Sequence, residues 1–254
     1  MATLTGFRAR LHSGDLLLGA LMSIPDPALA AIMGHAGFDF VVVDGEHGPF
    51  TLDSLRACVE ALEPTPAAAI VRPAANDPVL IKQVLELGID GVQPPSIASA
   101  AEAAAAVRGA RFPPEGKRGI GVGRWSAYGT GLPGRLHEAN ARTAVIAMIE
   151  DADGVENAAG IAAVEGLDGI AIGPFDLSAS LGVPGEPGHP RVVEAIGKIA
   201  DAARAAGVAV GTACAPADAP RLAAQGLRLL TIFVDGLGLA AAAGQAVETA
   251  RAAA

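Results

Sequence analysis

The feature that most constrains this chain is a rhythm. Eight times over, a short apolar run is followed by a longer segment whose apolar residues recur at helical spacing. The runs are 16–23, 38–44, 67–72, 91–94, 144–150, 169–173, 209–213 and 228–234. The helical segments between and after them are 25–36, 52–62, 77–87, 99–108, 155–164, 191–206, 217–225 and 238–252. Gly37, Gly88, Gly166, Gly207 and Gly226 each stand between a helix and the next strand, where a left-handed residue lets the chain turn back. Eight βα units close into a (β/α)8 TIM barrel. Length alone slightly favours two domains, but the unbroken rhythm predicts one over residues 1–254. A doubly wound open sheet fits less well, because no G-x-G-x-x-G follows the first strand. Residues 112–142 form the one long interruption and are expected to be an active-site loop, a flexible lid.

Composition supports this architecture and narrows the partners. The chain is 51% hydrophobic but only 4% aromatic, so its core is built from Ala, Val, Ile and Leu, as in a parallel sheet covered by helices. A net charge of −9 argues against nucleic acid and anionic membrane as partners. Cys58 and Cys214 are far apart and outside any C-x-x-C, which suits a reducing compartment. Residues 1–14 carry charges without the apolar core of a secretory signal. No apolar run approaches the roughly 18 residues of a membrane span. A cytoplasmic enzyme is expected.

In such a barrel the chemistry lies where strands end and the following loops begin. The second strand runs into Asp44, Glu46 and His47; the third ends in Arg72; the fifth ends in Glu150; Asp176 lies just past the sixth. Taken singly, Asp44 or Asp176 reads equally well as a helix cap, a lone arginine as a surface residue and a lone histidine as structural. Their convergence on one face from four strands favours a site. Glu150 and Asp176 form a hard oxygen pair with open positions, suited to Mg2+ or Mn2+. A 2-oxo acid is a natural bidentate partner for such a cation, whose coordination polarises the carbonyl and stabilises an enolate. Arg72 adds positive charge beside the developing oxygen, and His47 moves a proton. Schiff-base chemistry is disfavoured, because Lys82, Lys117 and Lys198 all lie off the strands. Gly119, Gly121 and Gly123 do not sit between a strand and a helix, so a phosphate cradle is disfavoured too.

The stretches AGFDFVVVDGEHGPF, VRPAANDPVLIKQVLELG, a strand ending in IE, and DGIAIGPFDLSASLG followed by HP resemble the hydroxy-2-oxoheptanedioate (HpcH/HpaI) aldolases over nearly the whole chain. These are metal-dependent class II pyruvate aldolases. The resemblance implies that His47 is the proton acceptor, that Asp44 pairs with it and that Arg72 stabilises the enolate. It implies Glu150 and Asp176 as ligands of Mg2+, Mn2+ or Co2+, and the backbone N–H groups of Phe175 and Asp176 as holders of the substrate carboxylate. Glu86 matches an acidic position that raises the histidine's basicity from a neighbouring subunit; without the resemblance it reads as a solvated helix residue. A homohexamer with exchanged C-terminal helices is also implied.

The chain departs from the family pattern at Met148, where a substrate-contacting Gln is usual, at Phe175, where Ala is usual, and in the loop containing Arg118 and Arg124. The expected activity is a reversible aldol reaction joining or releasing pyruvate, or hydroxypyruvate, and an aldehyde. The alternatives are an acyl-CoA or citryl lyase, for which no dense basic patch argues, and a catalytically silent barrel used for binding or assembly.

Overall fold

The computed structural model describes residues 6–252. Residues 1–5 of the segment expected to lack a secretory signal, and residues 253–254 of the predicted domain, lie outside the described residues.

Eight parallel strands close into a barrel in chain order. They are β1 (Leu17–Met22), β2 (Phe40–Asp44), β3 (Ala68–Arg72), β4 (Gly91–Val92), β5 (Ala144–Ile149), β6 (Gly169–Ile172), β7 (Ala209–Ala213) and β8 (Leu229–Val234). Each lies within the run expected for it. The five glycines expected at the helix-to-strand turns all have positive φ, from 71° at Gly207 to 98° at Gly37.

Alternation along the strands divides the apolar residues into two cores. Phe40, Val42, Ile70, Ala144, Ile146 and Leu229 point inward and pack together in the barrel. Val41, Val43, Val71, Val92, Val145 and Ile149 point outward, under the helices. The interior is filled: a Cβ on Gly19 would stand 2.2 Å from the Phe40 ring. Alternation also decides the mouth, because Asp44, Arg72 and Met148 continue the inward series of their strands.

The strands are connected by α2 (Pro27–His35), α3 (Leu52–Leu62), α4 (Pro78–Leu85), α5 (Ala100–Ala110), α7 (Ala152–Glu156), α8 (Ala158–Ala162), α10 (Pro190–Ala206) and α11 (Ala219–Ala224), with α12 (Asp235–Ala252) after β8. Sequence periodicity misses the short α9 (Pro174–Ser180), and the segment 155–164 is broken at Asn157 into α7 and α8.

Periodicity also misses α1 (Gly6–Ser13), which stoppers the barrel opposite the mouth. Phe7 and Leu11 join the inner core, and the Phe7 ring lies 5.8 Å from that of Phe40.

The long interruption is not a lid over its own mouth. It leaves α5 and enters β5, so it runs across the closed end of the barrel, and it folds into a 3-10 turn (Arg124–Gly129) and α6 (Leu132–Arg142). The rings of Phe112 and Trp125 are 4.9 Å apart, with the Arg118 guanidinium 4.4 Å from the Phe112 ring centre. Any connection from a helix C-terminus to a strand N-terminus lies on this side. Among the described residues, no helix is long and apolar enough to cross a membrane.

Candidate active site

Parallel register sets Asp44 beside Arg72, and the two side chains form a buried, bidentate ion pair. Arg72 Nε donates to Asp44 Oδ1 at 2.8 Å and a terminal N–H donates to Oδ2 at 2.7 Å. Asp44 Oδ1 also accepts the backbone N–H groups of Glu46 and His47, folding the DGEH turn back over the strand end. With both oxygens engaged, Asp44 meets His47 through the backbone. The carboxylate facing the ring is that of Glu46, 3.8 Å from His47 Nε2.

Glu46 lies between His47 and Arg72, also 3.2 Å from the second terminal nitrogen of Arg72. Burial pushes the Glu46 carboxyl up; Arg72 pulls against this, and the negative charge of Glu150 adds to the rise. The Arg72 guanidinium is held above its usual range: burial works against it, but the hydrogen bonds and charge of Asp44 prevail. The His47 side chain is 61% exposed and free to meet a ligand.

Glu150 is buried at the end of β5 and bonded on one side alone. Its Oε1 accepts from the backbone N–H of Ser96 at 2.8 Å and from the Ser96 hydroxyl at 3.0 Å. Ser96 achieves this double donation with φ at 54°, a conformation that is strained for a residue other than glycine. Glu150 Oε2 is buried and has no hydrogen-bond partner. A Cβ at Gly173 would stand 2.8 Å from that oxygen, so the glycine keeps the space clear. A buried anionic oxygen without a donor is costly unless a cation meets it. This residue set therefore fits a divalent cation. Asp176, exposed in the first turn of α9, is the second acid that the chain offers on this face. No group of three or more potential ligands is clustered among the described residues. Such a cation would leave most of its coordination to substrate and water.

Phe175 is exposed beside Asp176. Glu86 is not brought to the mouth of its own barrel. It caps the C-terminus of α4 at the closed end, where Arg118 donates to its Oε1 at 3.2 Å. Two side chains that sequence reasoning passed over also belong to the site, Ser96 and Gln93. Gln93 follows β4, is 7% exposed, and points its Nε2 at Met148 Sδ, 3.6 Å away. A signal was available for it: Gln93 stands two residues after the inward-facing Gly91, so strand alternation aims it at the mouth.

The family model for HpcH/HpaI aldolase/citrate lyase matches residues 20–241. The chain belongs to this family. It is therefore a carbon–carbon lyase of a metal-dependent group. It is 40% identical over 210 residues to a hydroxypyruvate/pyruvate aldolase of Pseudomonas aeruginosa, covering 81% of this chain and 77% of the relative. A 4-hydroxy-2-oxo-heptane-1,7-dioate aldolase of Salmonella arizonae is 39% identical, with 81% of this chain and 78% of the relative covered. Among solved structures, a family protein from Burkholderia cenocepacia superimposes with a TM-score of 0.93 at 35% identity, over 97% of this chain and all of that one.

Proposed function

We propose that this lyase cleaves and forms 4-hydroxy-2-oxo acids, with pyruvate or hydroxypyruvate as the nucleophilic half and an aldehyde as the other. The observation that carries the reading is the free, buried Oε2 of Glu150, held ready by Ser96 beside a fixed arginine. Glu150 and Asp176 would hold Mg2+, Mn2+ or Co2+, which when bound supplies Lewis acidity toward the 2-oxo group.

The side chains do the rest. Arg72, immobilised by Asp44, presents positive charge where the 2-oxo oxygen gains electrons, at no reorganisation cost. The first-turn N–H groups of Phe175 and Asp176 have no partner within α9 and would take the substrate carboxylate. In cleavage, His47 accepts the proton of the 4-hydroxyl. The C3–C4 bond then breaks, its electron pair passes into the enolate, and the aldehyde departs. Protonation at C3 completes pyruvate. Glu46 stabilises the imidazolium that His47 becomes.

Excess chelator should abolish activity with a 4-hydroxy-2-oxo acid, and adding Mg2+, Mn2+ or Co2+ should restore it. In parallel, Glu150→Gln should lose calorimetric Mn2+ binding. Turnover that persists in excess chelator would sink the metal-dependent reading.

A homohexamer belongs to the same reading. Leu237, Leu239 and Val247 of α12 are exposed, and exchange of this helix between barrels would cover them. Glu86 would then act on His47 of a neighbouring subunit. Free Cys58 and Cys214 suit the cytoplasm, with no nucleic acid or membrane as partner.

A further inference from the structure

Two strong donors at the mouth converge on one weak acceptor. Arg72 sends a terminal N–H to Met148 Sδ at 3.4 Å, and Gln93 sends its Nε2 to the same sulfur at 3.6 Å. A thioether is a poor hydrogen-bond acceptor, and a buried carboxamide normally finds better. Among the described residues nothing donates to Gln93 Oε1. A carboxamide only 7% exposed, with its N–H on a thioether and its oxygen open to the mouth, is poised for a ligand. Met148 is flexible enough to yield that space.

We propose that Gln93 selects the nucleophile, favouring a 3-hydroxy-2-oxo acid over a 2-oxo acid that lacks the hydroxyl. This rests on the aldolase reading given above. Arg72 serves the 2-oxo oxygen, and Gln93 lies across one sulfur atom from it, about where a substituent on the next carbon would fall. The chemistry matches as well. A hydroxyl both donates and accepts, as a carboxamide does, whereas a substrate carboxylate accepts alone and is better served by charge or backbone N–H groups. When the hydroxyl is missing, Gln93 is left unpaired beside an apolar carbon, and this penalty is the origin of the discrimination.

The test compares kcat/KM for hydroxypyruvate and for pyruvate against one aldehyde, glycolaldehyde, with Mn2+ present. Gln93→Leu removes the hydrogen bonds, and Gln93→Met does so while keeping the length of the side chain. In both, the ratio of kcat/KM for hydroxypyruvate to that for pyruvate should fall at least about tenfold, through the KM of hydroxypyruvate. Calorimetry without aldehyde should show binding of hydroxypyruvate weakened at least about tenfold more than binding of pyruvate. An unchanged preference, or an equal fall for both nucleophiles, overturns the proposal. Wild-type protein inactive with either nucleophile would instead bring down the aldolase reading, and this one with it.

Discussion

The ion pair between Asp44 and Arg72 shows how much one residue can be asked to do. Both side chains are nearly sealed from solvent, with Asp44 1% exposed. Removing one charge strands the other, at about 3–5 kcal/mol. Arg72→Ala should therefore lower thermal stability as well as abolish turnover. Arg72→Lys should keep most of the stability but lose the fork that faces Asp44, with kcat down at least about 100-fold. Paired melting curves and steady-state rates check this; near-normal turnover in Arg72→Ala would remove the arginine from the enolate site. The residues at this mouth were partly legible beforehand. Asp44, Arg72 and Glu150 stand out as charges ending apolar strands. Ser96 and Gln93 do not, because neither is charged, and alternation from Gly91 points to Gln93 alone. The nearness of Glu46 to the His47 ring was not legible, because the sequence cannot say which oxygens a neighbouring guanidinium has already taken.

At the scale of elements, the closed end of the barrel holds a repeated device. Asp39, Asp90 and Asp168 each precede an even-numbered strand, and each accepts a backbone N–H from the strand before: Leu18, Ala69 and Val145. Each is also paired with arginine: Arg10 on Asp39, Arg142 on Asp90, and Arg8 and Arg111 on Asp168. In the sequence these look like scattered single charges, because the partners come from α1 and from the region after α5, neither of which periodicity assigns. With Phe7 and Leu11 as its large apolar residues, α1 is too short to be stable alone, and it owes its form to the barrel it closes. Strands were easier to find, since burial on both faces makes them continuous apolar runs.

Asp168 should set the acid limit of stability. Burial by itself would raise its carboxyl, but the hydrogen bond to His12 and the charges of Arg111 and Arg8 hold it below the usual range. A group whose pKa is depressed on folding contributes stability above its unfolded value, and this is lost as pH falls through the folded one. Asp168→Asn should lower the melting temperature at pH 7 and flatten its decline between about pH 5 and pH 3. If the wild type and the variant decline in parallel, another group governs the acid limb.

For the whole molecule, Phe7 and Leu11 stopper a filled interior, so among the described residues the mouth at the strand C-termini is the way in. A vessel with a single doorway imposes a queue. On the proposed reading, a 2-oxo acid seated beside Arg72 and Glu150 at the strand ends would go in first and come out last, with the aldehyde standing in its path. Cleavage should release the aldehyde before pyruvate, and in the forward direction an aldehyde should find no foothold until the nucleophile is home. Product-inhibition patterns report this order directly, and a random pattern would contradict it. The queue also has a use: an enolate still waiting in the cul-de-sac is shielded from the water beyond by whichever aldehyde has stepped in behind it.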